Sequence, residues 1–198
     1  VNAATIFTLL EKRPLLITIA GSNGAGKSTF YYSHLAGAGL PFINADVIAR
    51  ELQIAAYPAA KAASEMRQRY VAKKLSFVFE TVFSDPAGDK LGFLKNAEEA
   101  GYTVVLVFVG IESSSVSEQR VGMRTLQGGH DVPLDKIHTR FPRTLANLAA
   151  AIGCVQNVFI YDNSDLIDPY RQLAIFSKGS LVWRGEALPK WFAALLPS

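Results

Sequence analysis

"LLITIAGSNGAGKSTF", residues 15–30, decides the fold. Six apolar or β-branched residues end at Ala20, and Gly21, Gly26, Lys27 and Ser28 then complete the pattern G-x-x-x-x-G-K-[ST]. The apolar run reads as a strand buried on both faces, which is the habit of a parallel sheet. Lys27 to about Leu35 reads as a helix. A strand, a glycine-rich loop and a helix in that order make successive backbone N–H groups converge on phosphate oxygens at the positive end of the helix. This assigns Gly21, Ser22, Asn23, Gly24, Ala25, Gly26, Lys27, Ser28 and Thr29 to a phosphate cradle. Lys27 would reach the β and γ phosphates and Ser28 would give an oxygen to Mg²⁺, so ATP and Mg²⁺ are the expected cofactors.

Outward from the cradle, strand and helix patterns alternate. "PFIN" is a short second strand, and "ADVIAR" turns into helical sequence. Residues 59–74 read as a helix, "SFVFET" as a third strand, "GDKLGFLKNAEEAG" as a helix closed by Gly101, and "YTVVLVFVG" as a fourth strand. A helix capped by a serine follows in "SSSVSEQRVGMRTL", then a loop "GGHDVPLDK" whose Pro133 and Asp135 suit the start of another helix. In that helix Ile137, Phe141, Leu145, Leu148 and Ile152 recur at helical spacing toward the core, while Lys136, Arg140, Arg143 and Asn147 fall on the opposite side. Pro142 lies inside this pattern and either kinks the helix or starts its second half. "NVFIYDNS" is a fifth strand, "LAIFSKGSLVWRG" a hairpin turning at Lys178 and Gly179, and "LPKWFAALL" a short helix. The expected fold is a three-layer α/β/α structure with an open, mainly parallel sheet, of the P-loop nucleoside triphosphate hydrolase or kinase kind. Residues 1–198 are expected to form a single domain, with a lid around residues 120–147 hinged at Gly128 and Gly129.

Composition narrows the function. The chain has 198 residues, 49% of them apolar, ample for one core. Its 20 basic and 17 acidic residues are spread along the sequence without the basic and aromatic track that a nucleic acid would need, so nucleic acid is not an expected partner. Cys154 stands alone and no Cys/His cluster has zinc spacing. A buried thiol is the simple reading of Cys154, and surface positions are the simple reading of His34 and His138. No apolar run is long enough for a spanning helix, and Lys12 and Arg13 follow the first apolar stretch where a signal peptide would have them precede it. A cytoplasmic location without membrane contact is expected.

A phosphate cradle serves switches, motors and kinases alike. The chain has no guanine-reading N-K-x-D segment, and where a motor would normally carry an apolar strand ending in Asp or Asp-Glu, its third strand ends "FVFET" and its second "INAD". In an open parallel sheet those strand ends face the active-site crevice. Asp46 there can accept the proton of an attacking hydroxyl and orient it, or it can cap the following helix. Glu80 and Thr81 can bind substrate hydroxyls or hold Mg²⁺ through water, Glu80 alternatively pairing with a helix arginine. Arg120 and Arg124 on one helix and Arg140 and Arg143 on the next bracket the Gly128–Gly129 turn, where guanidinium groups could neutralise a transferring phosphoryl group or simply face solvent. Arg124 is the candidate for nucleotide contact. Arg140 and Arg143 join Lys27 and Asp46 as catalytic candidates, and His130 could brace the lid. A small-molecule hydroxyl acceptor is the expected second ligand; the alternative is a P-loop ATPase or regulatory ATP-binding protein without one.

Taken together, "GSNGAGKST" (21–29), "NADVIA" (44–49), "FET" (79–81), "GGHDVP" (128–133), "RFPRTLANL" (140–148) and "YDNS" (161–164) resemble the small bacterial members of the zeta toxin family, P-loop kinases also described as zeta-toxin-like ATPases. The resemblance spans about residues 15–185. It implies a nucleotide-kinase-like fold and ATP-dependent phosphorylation of a small molecule, which in the characterised toxins is UDP-N-acetylglucosamine, phosphorylated on the sugar 3′-hydroxyl. It also implies that Lys27 grips phosphate, that Asp46 matches the general base, that Glu80 matches the carboxylate contacting substrate or metal, and that Arg140 and Arg143 lie in the region supplying phosphate-binding arginines. "YDNS" would pack on the nucleotide side. Small members commonly read Glu-Thr-Thr after the third strand, where this chain has Glu80, Thr81 and Val82, and larger toxins place a Thr and an Arg near positions held here by Val82 and Ser84. Both departures lie on the acceptor side. Toxicity and an antitoxin-like protein partner are not implied by the sequence.

Overall fold

A computed structural model describes residues 6–128 and 132–196. Gly129 and His130, on which the lid hinge and its brace were placed, lie outside the described residues. Seven strands form one sheet in the order β2-β3-β1-β4-β5-β6-β7. They are β1 (Leu15–Ala20), β2 (Phe42–Ile43), β3 (Phe77–Thr81), β4 (Thr103–Gly110), β5 (Asn157–Asp162), β6 (Arg171–Ser177) and β7 (Ser180–Arg184). The first five are parallel; β6 and β7 add an antiparallel edge. The edge is a hairpin whose two turn residues, Lys178 (φ 49°) and Gly179 (φ 82°), both take the left-handed conformation that a tight hairpin turn requires.

The period-2 rule splits the central strands cleanly between two layers. Leu16, Phe77, Phe79, Leu106 and Ile160 point to one face, where they pack on α3 (Ala56–Ala72), α4 (Asp89–Glu99), α6 (Leu134–Ile152) and α7 (Lys190–Ala193). Ile17, Ile19, Val105, Val107 and Phe159 point to the other, against α1 (Lys27–Phe30), the π turn Tyr31–Leu35 that continues it, and Val116 of α5 (Ser114–Leu126). Both faces of the parallel strands are therefore buried, which explains why they read as continuous apolar runs. Among the described residues no helix is long and apolar enough to cross a membrane.

α6 runs unbroken for 19 residues through Pro142, so Arg140 and Arg143 stay one turn apart. Its buried stripe is Ile137, Thr144, Leu148 and Ala151. Thr144 donates to the carbonyl of Val82 (3.1 Å), and Asn147, expected on the side away from the core, donates to those of Phe83 and Asp85 (2.9 and 3.1 Å). Cys154 differs from its expectation too. It is half-buried, its Sγ donating to the Ala150 carbonyl at 3.2 Å, and burial raises its pKa.

The carboxyl end of β4 is locked by the indole of Trp191, which occupies the space a Cβ on Gly110 would need. Trp191 Nε1 also donates to Asp162 Oδ1 at 3.0 Å. Gly110→Ala should therefore displace the indole and cost about 1–3 kcal/mol, the usual scale of overpacking, read as a lower urea midpoint with the fluorescence of Trp191 as reporter.

Candidate functional site

The sheet order puts β1 in the middle, with β3 and β4 as its neighbours, and the loop after β1 opens at the carboxyl ends of all three. Gly21 has φ 147°, and a Cβ there would fall on the Val109 carbonyl oxygen. Gly26 has φ 91°, and a Cβ there would lie 2.5 Å from Asn163 Nδ2 and 2.8 Å from Tyr170 Oη. Each glycine of the motif is thus required twice, by backbone conformation and by close approach. From behind, Asn163 Nδ2 donates to the Ala25 carbonyl (2.8 Å) and Tyr170 Oη to that of Gly26 (2.9 Å). Within the loop, Ala25 N–H donates to the Ser22 carbonyl at 3.3 Å.

Ser22 Oγ and Asn23 Oδ1 are buried without a partner among the described residues; the hydroxyl can donate to a bound anion, and the amide oxygen can accept from a water in its hydration. The Asn23 carbonyl accepts from Ser117 Oγ of α5 at 2.5 Å.

Glu80, at the end of β3, gathers the site. Its Oε2 accepts from Ser28 Oγ (2.7 Å) and from Asn44 Nδ2 (2.8 Å), and its Oε1 lies 3.7 Å from Lys27 Nζ. The partner of Glu80 is therefore Lys27 of the phosphate cradle, where a helix arginine was the expected alternative. Lys27 also donates to the Ser22 carbonyl at 2.9 Å. Burial pulls its pKa below the usual lysine value; Glu80 and Asp46 oppose that shift and Arg124 adds to it. Ser28 Oγ beside the Glu80 carboxylate is an all-oxygen pair of the hardness Mg²⁺ selects, and Mg²⁺ in phosphoryl-transfer sites takes most of its remaining ligands from phosphate and water. The residues present fit that ion.

Asn44, unremarked in the sequence, is the residue that caps α2 (Ala45–Leu52): its Oδ1 accepts from the N–H groups of Asp46 (2.8 Å) and Val47 (3.3 Å). The capping role is thereby filled, and the Asp46 carboxylate is exposed in the crevice. Two cavities meet there. One, of about 630 Å³, is bordered by Ser28, Tyr32, Arg50 and Arg124; the other, of about 550 Å³, by Arg67, Glu80, Thr81, Arg140 and Arg143. Asn44 and Asp46 line both.

The four arginines expected to bracket Gly128 and Gly129 divide into three groups. Arg120 donates to the Ser164 carbonyl at 3.1 Å and packs beside Gly24. Arg124 borders the cavity of Ser28, whereas Arg140 and Arg143 border the cavity of Glu80 and Thr81. Thr81 Oγ1 accepts from Phe83 N–H at 3.1 Å, which holds Phe83 in a left-handed conformation at φ 61°. The "YDNS" segment braces the phosphate loop through Asn163, while Asp162 takes hydrogen bonds from Trp191 and Ser164. His34 and His138 are exposed, as expected, the first stacked on Phe30 with ring centroids 4.5 Å apart.

The sequence model of the zeta toxin family matches residues 52–173, well over half of the chain. The chain belongs to the zeta toxin family. The matched span carries Glu80, Arg124, Arg140 and Arg143 of the two cavities. Among solved structures, the AvrRxo1-ORF1:-ORF2 complex with ATP superposes with a TM-score of 0.69 at 16% identity, over 86% of this chain and 60% of that one. The PezAT chromosomal toxin–antitoxin system of Streptococcus pneumoniae gives 0.57 at 14% identity, over 94% and 78%. A chain of the Pnkp1/Rnl/Hen1 RNA repair complex gives 0.56 at 14%, over 76% and 48%. At these identities the likeness is one of fold, and this zeta toxin family member spans only about three fifths of the AvrRxo1 chain it overlays. No curated protein matches the sequence.

Lys27 offers a direct test of how the site is built. Its charged form is disfavoured in the fold by burial, so the folded state binds fewer protons than the unfolded state between the lowered pKa and the ordinary value of 10.5, and stability rises with pH through that window. In the ligand-free protein the melting temperature of Lys27→Met relative to the parent should fall as pH rises toward 10.5, because only the parent gains stability through that window; melting temperatures across that range measure it.

Proposed function

We propose that this protein is an ATP-dependent kinase that transfers the γ-phosphoryl group of ATP to a hydroxyl of a small molecule. The observation that carries the reading is the position of Asp46: its carboxylate lines both the cavity that includes Ser28 and the cavity that includes Arg140 and Arg143. A carboxylate at such a junction can bridge a donor on one side and an acceptor on the other. Membership of the zeta toxin family supports the same class of reaction.

In this reading the loop N–H groups and Lys27 hold the β and γ phosphates, with Glu80 fixing Lys27 and Ser28 in place. Mg²⁺, when bound at Ser28, supplies neutralisation of phosphate charge. Asp46 orients the acceptor hydroxyl and takes its proton as the new O–P bond forms and the bond to the β phosphate breaks. Arg124 offers a guanidinium from the nucleotide side, and Arg140 and Arg143 from the acceptor side. Residues 1–198 act as one domain whose segment around 120–147 closes over the reactants. The family resemblance points to a nucleotide sugar such as UDP-N-acetylglucosamine as acceptor, with Thr81 and Glu80 on its hydroxyls; Val82 and Ser84 alter that wall.

Lys27→Ala should abolish transfer and greatly weaken ATP affinity, as calorimetry with Mg²⁺ and ATP would read. Asp46→Asn separates a kinase from a simple ATPase. It keeps the shape and removes the base, so Mg-ATP affinity by titration should stay near that of the parent, while product formation falls by ~10² or more, the usual scale for a positioned base. Labelled ATP and a pool of hydroxylated metabolites supply the assay. Transfer at the parental rate would strip Asp46 of the role, and ATP hydrolysis insensitive to Asp46 with no phosphorylated product would point to a regulatory ATPase.

A further inference from the structure

Arg67 is the outlier of the acceptor-side cavity. It projects from α3 and is only 8% exposed, with its guanidinium carbon 5.0 Å from the ring centroid of Phe79 and 5.9 Å from that of Phe93. Among the described residues it makes no hydrogen bond and no ion pair. A guanidinium carries five N–H donors and keeps its charge, so two aromatic faces leave its donors without acceptors. Desolvation by burial lowers its pKa, the mark of a cation held where it lacks compensation. Its nitrogens are not among the fully enclosed atoms that lack a partner, so its donors are open to the cavity that Arg67 lines.

The same cavity holds a complementary defect. Asp85 Oδ1 is buried without a partner among the described residues, while Asp85 Oδ2 accepts from the N–H of Lys90 at 3.1 Å. Arg67 and Asp85 line one cavity of about 550 Å³, have opposite charge, and yet do not bond each other. Five cations border that cavity, Arg67, Lys90, Lys136, Arg140 and Arg143, against three carboxylates, Asp46, Glu80 and Asp85.

We propose that Arg67 is the specificity-determining residue of the acceptor site and that the acceptor ends in an anion, a carboxylate or a phosphomonoester, which Arg67 binds. The inference rests on the kinase reading for the word acceptor, and on the cavity alone for the anion. The anion is terminal for a steric reason. Arg67 is sunk beside Ala60 and Ala63 and flanked by two phenylalanine rings, so a group with substituents on one side only can reach it, whereas the diphosphate in the middle of a nucleotide sugar would need the ligand to continue past it. A hydroxy acid or sugar phosphate meets that demand, in place of the nucleotide sugar to which the family resemblance points.

The test uses the full chain with Mg²⁺ and a non-hydrolysable ATP analogue at saturation, so that the phosphate cradle is filled before any second anion is added. Glycerol 3-phosphate, glycerate, UDP-N-acetylglucosamine and glycerol are then titrated, with melting temperature and the Nε–H resonance of Arg67 as readouts. One of the two acids should raise the melting temperature and move that resonance, and which one does so tells a phosphomonoester from a carboxylate. Glycerol and the nucleotide sugar should give no shift that depends on Arg67. Arg67→Met, whose thioether suits the slot between the rings, should weaken acid binding at least ten-fold without lowering the ligand-free melting temperature, and Arg67→Lys should recover part of it. No response to either acid, or an equal response in Arg67→Met, overturns the proposal, as does failure of both variants to fold, which would return Arg67 to the core. The analogue's own thermal shift reports the kinase reading separately: its absence with acid binding intact strikes that reading, and its presence without an Arg67-dependent acid response strikes this one.

Discussion

One carboxylate ties three strand ends together. Glu80, at the end of β3, is bonded by Ser28 from the loop after β1 and by Asn44 from the end of β2, and it neutralises Lys27. A carboxylate at the end of an apolar strand would be costly to bury alone, and the three donors remove that cost. The consequence reaches outward. Asn44, fixed by Glu80 through its Nδ2, uses its Oδ1 to start α2, so the first turn that carries Asp46 is set by the same group that orients Ser28. The relative placement of cradle and Asp46 is thus a property of one hydrogen-bonded cluster and not of two independent loops.

The two cavities on either side of Asp46 differ in how their walls are made. The wall near Ser28 is built from helix ends and exposed side chains such as Tyr32 and Arg124. The other wall is pinned: Thr144 and Asn147 of α6 bond three carbonyls of the segment after β3, and Thr81 holds Phe83 in its left-handed turn. Because Arg140 and Arg143 ride on the same helix as those pins, their bases are held relative to Glu80 even though their tips are long and adaptable. Arg143 is tied further, its Nε–H donating to the Thr139 carbonyl at 3.0 Å.

Much of this was legible in the sequence because local chemistry decided it. The cradle follows from glycines at positions where a Cβ collides, and the strands follow from apolar runs buried on both faces. The hairpin at Lys178–Gly179 and the serine cap of α5, by Ser113, are equally local. What escaped was decided by partners far apart in the chain. Asn44 reads as one more polar residue until Glu80, 36 positions on, is brought to it. Arg67 sits in an alanine-rich helix among Glu65 and Arg69 and looks like solvated surface; only the packing of Phe79 and Phe93 around it makes it buried. The arginines near Gly128 were grouped by spacing, yet spacing along two helices carries no information about which cavity each side chain enters.

The last described helix has a reach that its four residues do not suggest. Trp191 of α7 fills the space over Gly110 and donates to Asp162, whose neighbour Asn163 holds the underside of the phosphate loop at Ala25. Two hydrogen bonds and one peptide bond therefore separate the end of the fold from the floor of the cradle. Any substitution that unseats the Trp191 indole loosens the support beneath the phosphate loop, so the tuning of the cradle is in part a matter of packing on the far side of β4 and β5.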